Sequence, residues 1–445
     1  MKPEEMARCV FEEATRLKAT AAEFFHRREV KTEARVQGLA PDAYTFTEHA
    51  SAGIRVFRGR RWGLRFTTAS DPGSLRHAAR ETFALAAAFP EDPDTRLRES
   101  TGSSPSPLPP LDPEHDALDR AGRFEHALEI ERGAFSVDRR VRSSRYVTFS
   151  DVRRETYLSN TRGLEAGYES GSFKISAMIS AADGEAGQQL FGSESARRLS
   201  LLDPRGLGAS IGKRLVVTLG GRPLPTGPRD VVIDRSQSPD LAGALAAALD
   251  GSQVHLGRSY LAGRVGGRVA GRAFTLFDDP LDPASSGSVP WDDEGVPAQR
   301  TSLVEEGVLE GFLYDVASAS KAGCESTGNG FRPGADHPPG VLPTQLVIAP
   351  GAGSLETLLA DVEEGLYVTG FMGRGIDPVT GAVSAAALGA RIRGGRIAGP
   401  VAGVSLSGTL DGILAGLDGV GDDAVRQGPF RTPSLRIRNV MVAGS

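Results

Sequence analysis

Cysteine is scarce in this chain: Cys9 and Cys324 are the only two among 445 residues. They lie far apart and in no CxxC arrangement, which excludes a disulfide scaffold and fits a reducing compartment. Long apolar runs are missing as well. Nothing approaches the roughly 18 residues of a membrane-spanning helix, and the opening Met1-Lys2-Pro3-Glu4-Glu5 has no apolar core of the kind a secretory leader needs, so a cytoplasmic protein is expected. Neither sign of charge dominates. Lys and Arg total 51 against 56 Asp and Glu, with a formal charge of -5 and a pI near 5.9, and this balance gives no support for steering toward nucleic acid or an anionic membrane. The seven histidines, His26, His49, His77, His115, His126, His255 and His337, include no pair one helical turn apart with a Glu beside them, the arrangement zinc peptidases commonly use. His115 and His126, the nearest pair, are about three turns apart. A metal site would have to assemble from distant loops, with His255, His337, Cys324 and an acidic stretch as its possible members.

Glycine, in contrast, is abundant. Its 55 residues are about an eighth of the chain, above the typical ~7%, and they follow no collagen period, which favours tight turns and strands. The densest stretch, Gly365 to Gly408, keeps short apolar runs at strand length and reads as consecutive β-strands. Asp377-Pro378-Val379-Thr380-Gly381 carries turn chemistry, and Gly394-Gly395 between Ala390–Arg393 and Arg396–Ala398 predicts a hairpin with a primed turn. Elsewhere the periodicity predicts helices over Pro3–Lys18, Leu75–Phe89, His115–Ala134, Ser193–Leu219, Pro239–Leu249 and Leu355–Glu364. His77, on the second of these, is expected on the surface or satisfied in the core. Strands are predicted over Ala21–Val36, Ala43–Thr68, Val141–Ile179, Val308–Tyr314 and Leu435–Val442. Glu91–Asp112, rich in Pro, Ser, Asp and Glu, reads as a linker, and Pro223–Gly227 as a shorter one. The expected organisation is an N-terminal α/β segment over 1–100, a helix plus β-meander over 101–225 and a glycine-rich β domain over 226–445. The fold class is α+β with large antiparallel sheets and flanking helices.

Short motifs are weighed by context. Gly208-Ala209-Ser210-Ile211-Gly212 matches the GxSxG nucleophile elbow, but Asp203-Pro204-Arg205-Gly206 stands where a buried strand is needed, and a chance match in a glycine-rich chain is the better reading. The same segment misses a phosphate loop, because five residues separate Gly206 from Gly212 and Arg214 stands where Ser or Thr would bind magnesium. Gly373-Arg374-Gly375 is no dinucleotide fingerprint, since Pro378 occupies the third glycine position. Asp278, Asp279, Asp282, Asp292, Asp293 and Glu294 form an acidic stretch without EF-hand spacing, read as a solvated loop.

The C-terminal half resembles the TldD/PmbA family, described both as modulators of DNA gyrase and as peptidase components. The resemblance rests on Trp291-Asp292-Asp293-Glu294-Gly295, Ser326-Thr327-Gly328-Asn329-Gly330, Gly365-Leu366-Tyr367-Val368-Thr369, the Gly394-to-Val401 hairpin, Ser407-Gly408 and the Pro433-to-Gly444 end. It implies the family's multi-segment fold. Members of the catalytic TldD type carry HExxxH on a helix of the third part, with a cysteine near the C-terminus completing a zinc site. This chain has PDLAGALAAAL over Pro239–Leu249 at that helix, and Gln427-Gly428-Pro429-Phe430 near the end with no cysteine. It therefore resembles the PmbA (TldE) type, whose member pairs with the zinc-bearing subunit in processing peptides. That resemblance implies no metal, no cofactor and no catalytic residue of its own, and as partners a TldD-like zinc-bearing paralogue or a second copy, together with an unstructured peptide. Peptide capture by strand addition is expected at Tyr367, Gly370, Gly373, Gly375 and Ser384, where small residues let another backbone approach. The alternative is an independent hydrolase or a peptide-binding protein using the same sheet.

Overall fold

A computed structural model describes residues 1–99, 107–373 and 375–444. The middle of the linker expected over Glu91–Asp112 thus lies outside the described residues, as does Arg374. The N-terminal half is organised on a six-stranded antiparallel sheet. Its strands are β1 (Ala21–Gln37), β2 (Ala40–Arg58), β3 (Arg61–Thr67), β4 (Val141–Asn160), β5 (Glu165–Asp183) and β6 (Ala186–Ala196), in the order β3-β2-β1-β4-β5-β6. The first two segments read from the sequence therefore share one sheet, joined where β1 pairs with β4.

Successive side chains along a strand face opposite ways, so Phe24 and Ala34 of β1 lie on one face. Helices cover that face. α1 (Pro3–Arg16) starts with Pro3 at its first turn and the Glu5 carboxylate accepting the Lys2 N–H at 3.0 Å, and it buries Met6, Val10 and Ala14 at helical spacing. With α2 (Pro72–Ala86) it packs on Phe24, Ile54 and Val56. α3 (Arg120–Phe135) and α4 (Pro204–Thr218) pack on Ala34, Val36, Phe149 and Phe173.

The helix expected over Ser193–Leu219 begins only at Pro204. Residues up to Ala196 form β6, paired with β5, and α4 starts where the Asp203 carboxylate accepts the Gly206 N–H at 2.8 Å. This explains the GxSxG match in physical terms. A Cβ on Gly208 would overlap the Ile130 carbonyl oxygen of α3, and one on Gly212 would lie 2.9 Å from the Ala134 carbonyl oxygen, so the two glycines form the seam along which the helices touch. No strand leads into Ser210, and the elbow reading fails.

The C-terminal half holds a closed ring of strands. β7 (Gly227–Ile233), β8 (Glu364–Met372), β9 (Ala382–Arg393), β10 (Arg396–Thr409) and β11 (Leu435–Ala443) pair in that order, and β11 pairs back to β7. Only β7 and β8 run parallel. Gly394 and Gly395 have φ of +54° and +73°, the two left-handed residues a primed hairpin turn requires. Val231, Ile233, Leu366, Val368, Val404, Leu406, Ile437 and Val442 fill the interior together with α5 (Ser238–Ala248). A smaller sheet adjoins it, in which Phe430–Thr432 pairs in parallel with Leu346–Ile348. The strand expected over Val308–Tyr314 is confined to Val308–Leu309, and the helix expected over Leu355–Glu364 ends at Ala360. Among the described residues no helix is long and apolar enough to cross a membrane.

The acidic stretch is not a solvated loop. Asp278, Asp292, Asp293 and Glu294 are buried, and Asp282 pairs with Arg426 at 3.0 Å. Asp278 accepts Asn329 Nδ2 at 2.8 Å and the Thr344 and Gln345 N–H groups at 2.9 Å. Asp293 accepts Arg27 Nη2 at 3.0 and 3.1 Å and the Arg332 N–H at 2.7 Å. Arg332 in turn reaches Glu23, which also binds Arg55 at 2.9 Å. The uncovered face of β1 is thereby clamped to the C-terminal half, with the Phe25 ring between the Arg27 and Arg332 guanidiniums at 4.9 and 4.7 Å. Burial alone would raise the Glu23 carboxyl, but the Arg55 and Arg332 charges hold it below its ordinary value. Asp292 and Glu294 have no such cations in contact. Burial pushes Asp292 up to about 7 and Glu294 well above the usual carboxylate range, Asp292 being raised further by Asp293 and Glu294 by Asp292 and Asp315.

Candidate functional site

β7 and β8 run side by side until Ile233 faces Val368. Beyond that point β7 ends and the chain turns through Asp234 into α5, whereas β8 continues to Met372. Two parallel neighbours that part at their carboxyl ends leave a crevice, a place where ligands bind in many α/β sheets. Here the crevice is a cleft of about 400 Å³. One wall is the exposed side of α5, with Pro239, Asp240, Gly243, Ala244 and Ala247. The other consists of Phe371, Gly373, Gly375, Ile376, Pro378 and Ala385, and Phe430 closes the end.

The walls are fixed by hydrogen bonds from both strands. The Asp234 N–H donates to the Val368 carbonyl at 2.9 Å, and the Tyr367 hydroxyl donates to the Asp234 carboxylate. Gln237 Oε1 accepts the Phe371 N–H at 3.0 Å, and the Ser238 hydroxyl donates to the Pro433 carbonyl at 2.7 Å. Tyr367, raised first by burial and then by Asp234, stays a neutral phenol that can make this bond.

Gly373 and Gly375 line the cleft. Tyr367 lies beneath it, buried, with its hydroxyl on Asp234. Gly370 packs against Leu388 and Leu190 instead, and Ser384 is exposed on β9 with its N–H on the Gly375 carbonyl at 2.7 Å. Over Gly365–Val401 the ring pairs β9 on both sides and β8 on both sides up to Val368. Among the described residues this leaves two edges for an added strand: the end of β8 past Val368, where Phe371 already donates to Gln237, and the outer side of β10 over Arg396–Gly399, since β11 pairs with β10 only over Ser405–Ser407. Asp240, Phe371, Ile376 and Phe430 were not identified from the sequence as site residues; Asp240 and Phe430 fall within the two segments singled out by the family resemblance.

Among the described lining residues Asp240 carries the only charge. It is exposed on the first turn of α5, and partial desolvation pushes its carboxyl up. The donor set does not suit the zinc ion that the catalytic type of the family implies, which needs about three protein ligands and an open position. Leu241, Ala242, Leu245, Ala246 and Ala247 of α5 have no lone pair to give, and Phe430 ends the cleft with a ring. His255, His337 and Cys324 are exposed, and among the described residues no three His, Cys, Asp or Glu side chains gather as a ligand set. A second cavity, of about 460 Å³, lies on the N-terminal sheet beside His115. His115 stacks on Phe173 at 4.2 Å and binds Asp151 at 2.5 Å, and Arg123 binds the other Asp151 oxygen at 2.6 Å. This is a satisfied buried carboxylate under the segment that precedes α3.

Comparison with known proteins bears on the whole length. The domain 1, central and C-terminal domains of the PmbA/TldA metallopeptidases match residues 22–88, 111–219 and 226–444. A metalloprotease of Methanothermobacter thermautotrophicus is 30% identical over 428 residues, 88% of each chain. The metalloprotease PmbA homolog of Haemophilus influenzae is 26% identical over 402 residues, 90% of this chain and 87% of that one. Among solved structures, TldE from Thermococcus kodakarensis has a TM-score of 0.91 at 22% identity, over 99% of this chain and 100% of that one. A structure described as a modulator of a DNA gyrase from Thermotoga maritima has a TM-score of 0.89 at 24% identity, with coverage of 99% and 100%. The structural likenesses show a shared fold. Together with the sequence matches they define an α+β protein of the metallopeptidase-related kind. The chain belongs to the PmbA/TldD family.

Proposed function

We propose that this chain is the zinc-free member of a two-subunit peptidase, a cytoplasmic protein that holds unfolded peptide in the α5 cleft while a zinc-bearing TldD-like paralogue cuts it. The observation that carries this reading is the composition of the cleft. Both places where the family resemblance puts zinc ligands, the α5 helix and the segment around Phe430, line it, and apart from the single carboxylate of Asp240 their described lining side chains are apolar. An apolar crevice beside a strand end suits an extended peptide, whose side chains enter the cleft while its backbone meets the rim. A subunit of this kind buries a large surface on its partner, and obligate interfaces often exceed ~2,000 Å².

Reconstitution tests the proposal. The purified chain alone should contain zinc well below one equivalent and leave an unstructured peptide intact, and adding an HExxxH-bearing paralogue should produce chelator-sensitive cleavage faster than the paralogue alone achieves. One tightly bound zinc, or cleavage by this chain alone, would make it an enzyme in its own right and overturn the assignment.

A further inference from the structure

The N-terminal sheet contains a strand whose outer side is only half used. β1 pairs with β2 over Ala40–Phe57, but β3 covers the other edge of β2 only over Ala52–Arg58. Among the described residues no backbone group bonds to that outer edge over Ala43–Ser51. The described chain on either side of residues 100–106 lies beyond β1 and β4 from it, where Glu99 pairs with Arg162 and the Pro109 carbonyl accepts Arg197. Thr45 to Ala50 are exposed on both faces of the sheet, and Phe46 is 63% exposed. Proteins usually blunt such an edge with lysine, proline or a bulge. Here Pro41 and the register shift beside Arg35 and Val36 blunt only the end next to the turn. The residues that follow, Ala43-Tyr44-Thr45-Phe46-Thr47-Glu48-His49-Ala50-Ser51, have no lysine, no proline and no further break in register. The turn itself is fixed. Gly38 and Leu39 have φ of +63° and +59°, and both N–H groups donate to the buried Glu131 carboxylate, at 3.0 and 2.5 Å. The edge is thus a slot bounded by a held turn at one end and by β3 at the other.

We infer that this slot takes up an extended peptide as an added strand, in line with β3. The inference rests on the reading of the chain as a peptide-handling subunit and gives it a second contact, separate from the α5 cleft. A steric argument favours a single peptide segment over a folded partner. A second copy, or a paralogue of the same fold, carries a β3 of its own in line with the edge. Placed by a twofold axis, its β2 runs antiparallel, and pairing over all of Ala43–Ser51 drives the end of that β3, opposite Ala52, into the first copy's chain at Asp42. A peptide brings no such neighbour. Its backbone pairs with the free N–H and C=O groups of β2, and its side chains lie alternately beside Tyr44 and Phe46 on one face and Thr45 and Thr47 on the other. Segments rich in Val, Thr, Ile, Tyr or Phe bind best there, and proline-rich ones worst.

The test measures, by fluorescence anisotropy on the full-length protein, a short labelled peptide of alternating Thr, Val and Tyr. N-methylation of every second residue leaves one edge of the extended peptide free, and this version should bind like the parent. Methylation of successive residues blocks both edges and should weaken binding at least tenfold. Thr45→Pro and Phe46→Pro are made as a pair. Successive N–H groups along a strand point in opposite directions, so one variant removes a donor on the open edge and the other a donor used by β1. The variant that keeps hydrogen-exchange protection in β1 should lose the peptide at least tenfold, and Phe46→Ala, an exposed change, should weaken it several-fold. Equal binding of all three peptides, loss with the version methylated on one edge, or full binding by that proline variant overturns the inference. So does a dimer in light scattering that Phe46→Ala dissociates, because a second copy then holds the edge. Ala247→Trp, which fills the α5 cleft, separates the two sites: the binding that remains in it should follow the methylation pattern. If Ala247→Trp abolishes all binding, the cleft stands and the edge falls. If it changes nothing while the methylation pattern holds, the edge stands and the cleft falls. If no peptide binds the wild type, both fall.

Discussion

Replacing Asp293 by alanine should release the clamp between the N-terminal sheet and the C-terminal half. The Asp293 side chain is 0% exposed and its partner Arg27 18% exposed, so both lose most of their water when they pair. Three guanidiniums, on Arg27, Arg55 and Arg332, converge there on the carboxylates of Glu23 and Asp293, while burial favours the neutral forms of Asp292 and Glu294. Without Asp293, three cations face one anion and the Arg332 N–H loses its acceptor. Breaking a buried pair from one side costs about 3–5 kcal/mol. Arg27 can partly rehydrate, which argues for the lower end, ~3 kcal/mol, or about a hundredfold in the population of the opened state. Two-state unfolding is not expected of a chain this long, so hydrogen exchange is the better assay. Protection of β1 and of residues 330–332 should fall by about two orders of magnitude while the β9–β10 hairpin is unaffected. Adding Arg27→Met should recover part of the loss, since it removes one of the stranded charges. A change below ~0.5 kcal/mol, or strict additivity in the double variant, would refute the reasoning.

The buried Asp292 and Glu294 carboxyls give a pH dependence of known sign. Their folded pKa values lie above the unfolded ones, so the stability they contribute is complete below the ordinary carboxylate range and is lost as pH rises, through about 7 for Asp292 and through a folded value well above the usual carboxylate range for Glu294. Glu294→Gln should flatten urea-denaturation midpoints between pH 5 and 8 and be more stable than wild type at pH 8, and an unchanged slope would count against the assignment. Gly208→Ala should force α3 and α4 apart and cost ~1–3 kcal/mol or more, whereas Gly187→Ala, with no atom within 4 Å of the added carbon, should stay within about 0.5 kcal/mol in thermal melts. In solution the mass should exceed 46.9 kDa, alone or with a TldD-like paralogue, and a monomer at micromolar concentration that ignores such paralogues would contradict the two-subunit assembly.

Local chemistry was legible in the sequence where it acts over a few residues. The Gly394-Gly395 turn and the Pro3 helix start form as their residues dictate, and Pro239–Leu249 is a helix to within a residue at each end. What the sequence hid depends on partners far away. The acidic stretch read as solvated because the cations that pair with it are remote in sequence: Arg27 of β1 meets Asp293 across 266 positions and Arg426 meets Asp282 across 144. Ser193–Leu219 read as one helix because the Ser, Glu and Ala of its first turn carry little strand signal, and only pairing with β5 makes residues up to Ala196 a strand. Closure of the ring brings Ser405–Ser407 beside Met441–Ala443, a contact no local pattern announces. The cleft was half visible. Gly373 and Gly375 stood out by composition, but their partners Asp240 and Phe430 come from a helix and from a strand of the adjoining sheet, far apart in sequence.

Peptide binding in the presence of a chelator tests most directly the claim that the α5 cleft is a metal-free peptide site. A labelled, unstructured peptide should bind the purified chain with the same Kd with and without chelator. Ala247→Trp should weaken binding at least tenfold while the protein melts at the wild-type temperature. Binding that disappears with chelator, or that Ala247→Trp does not alter, would contradict the account.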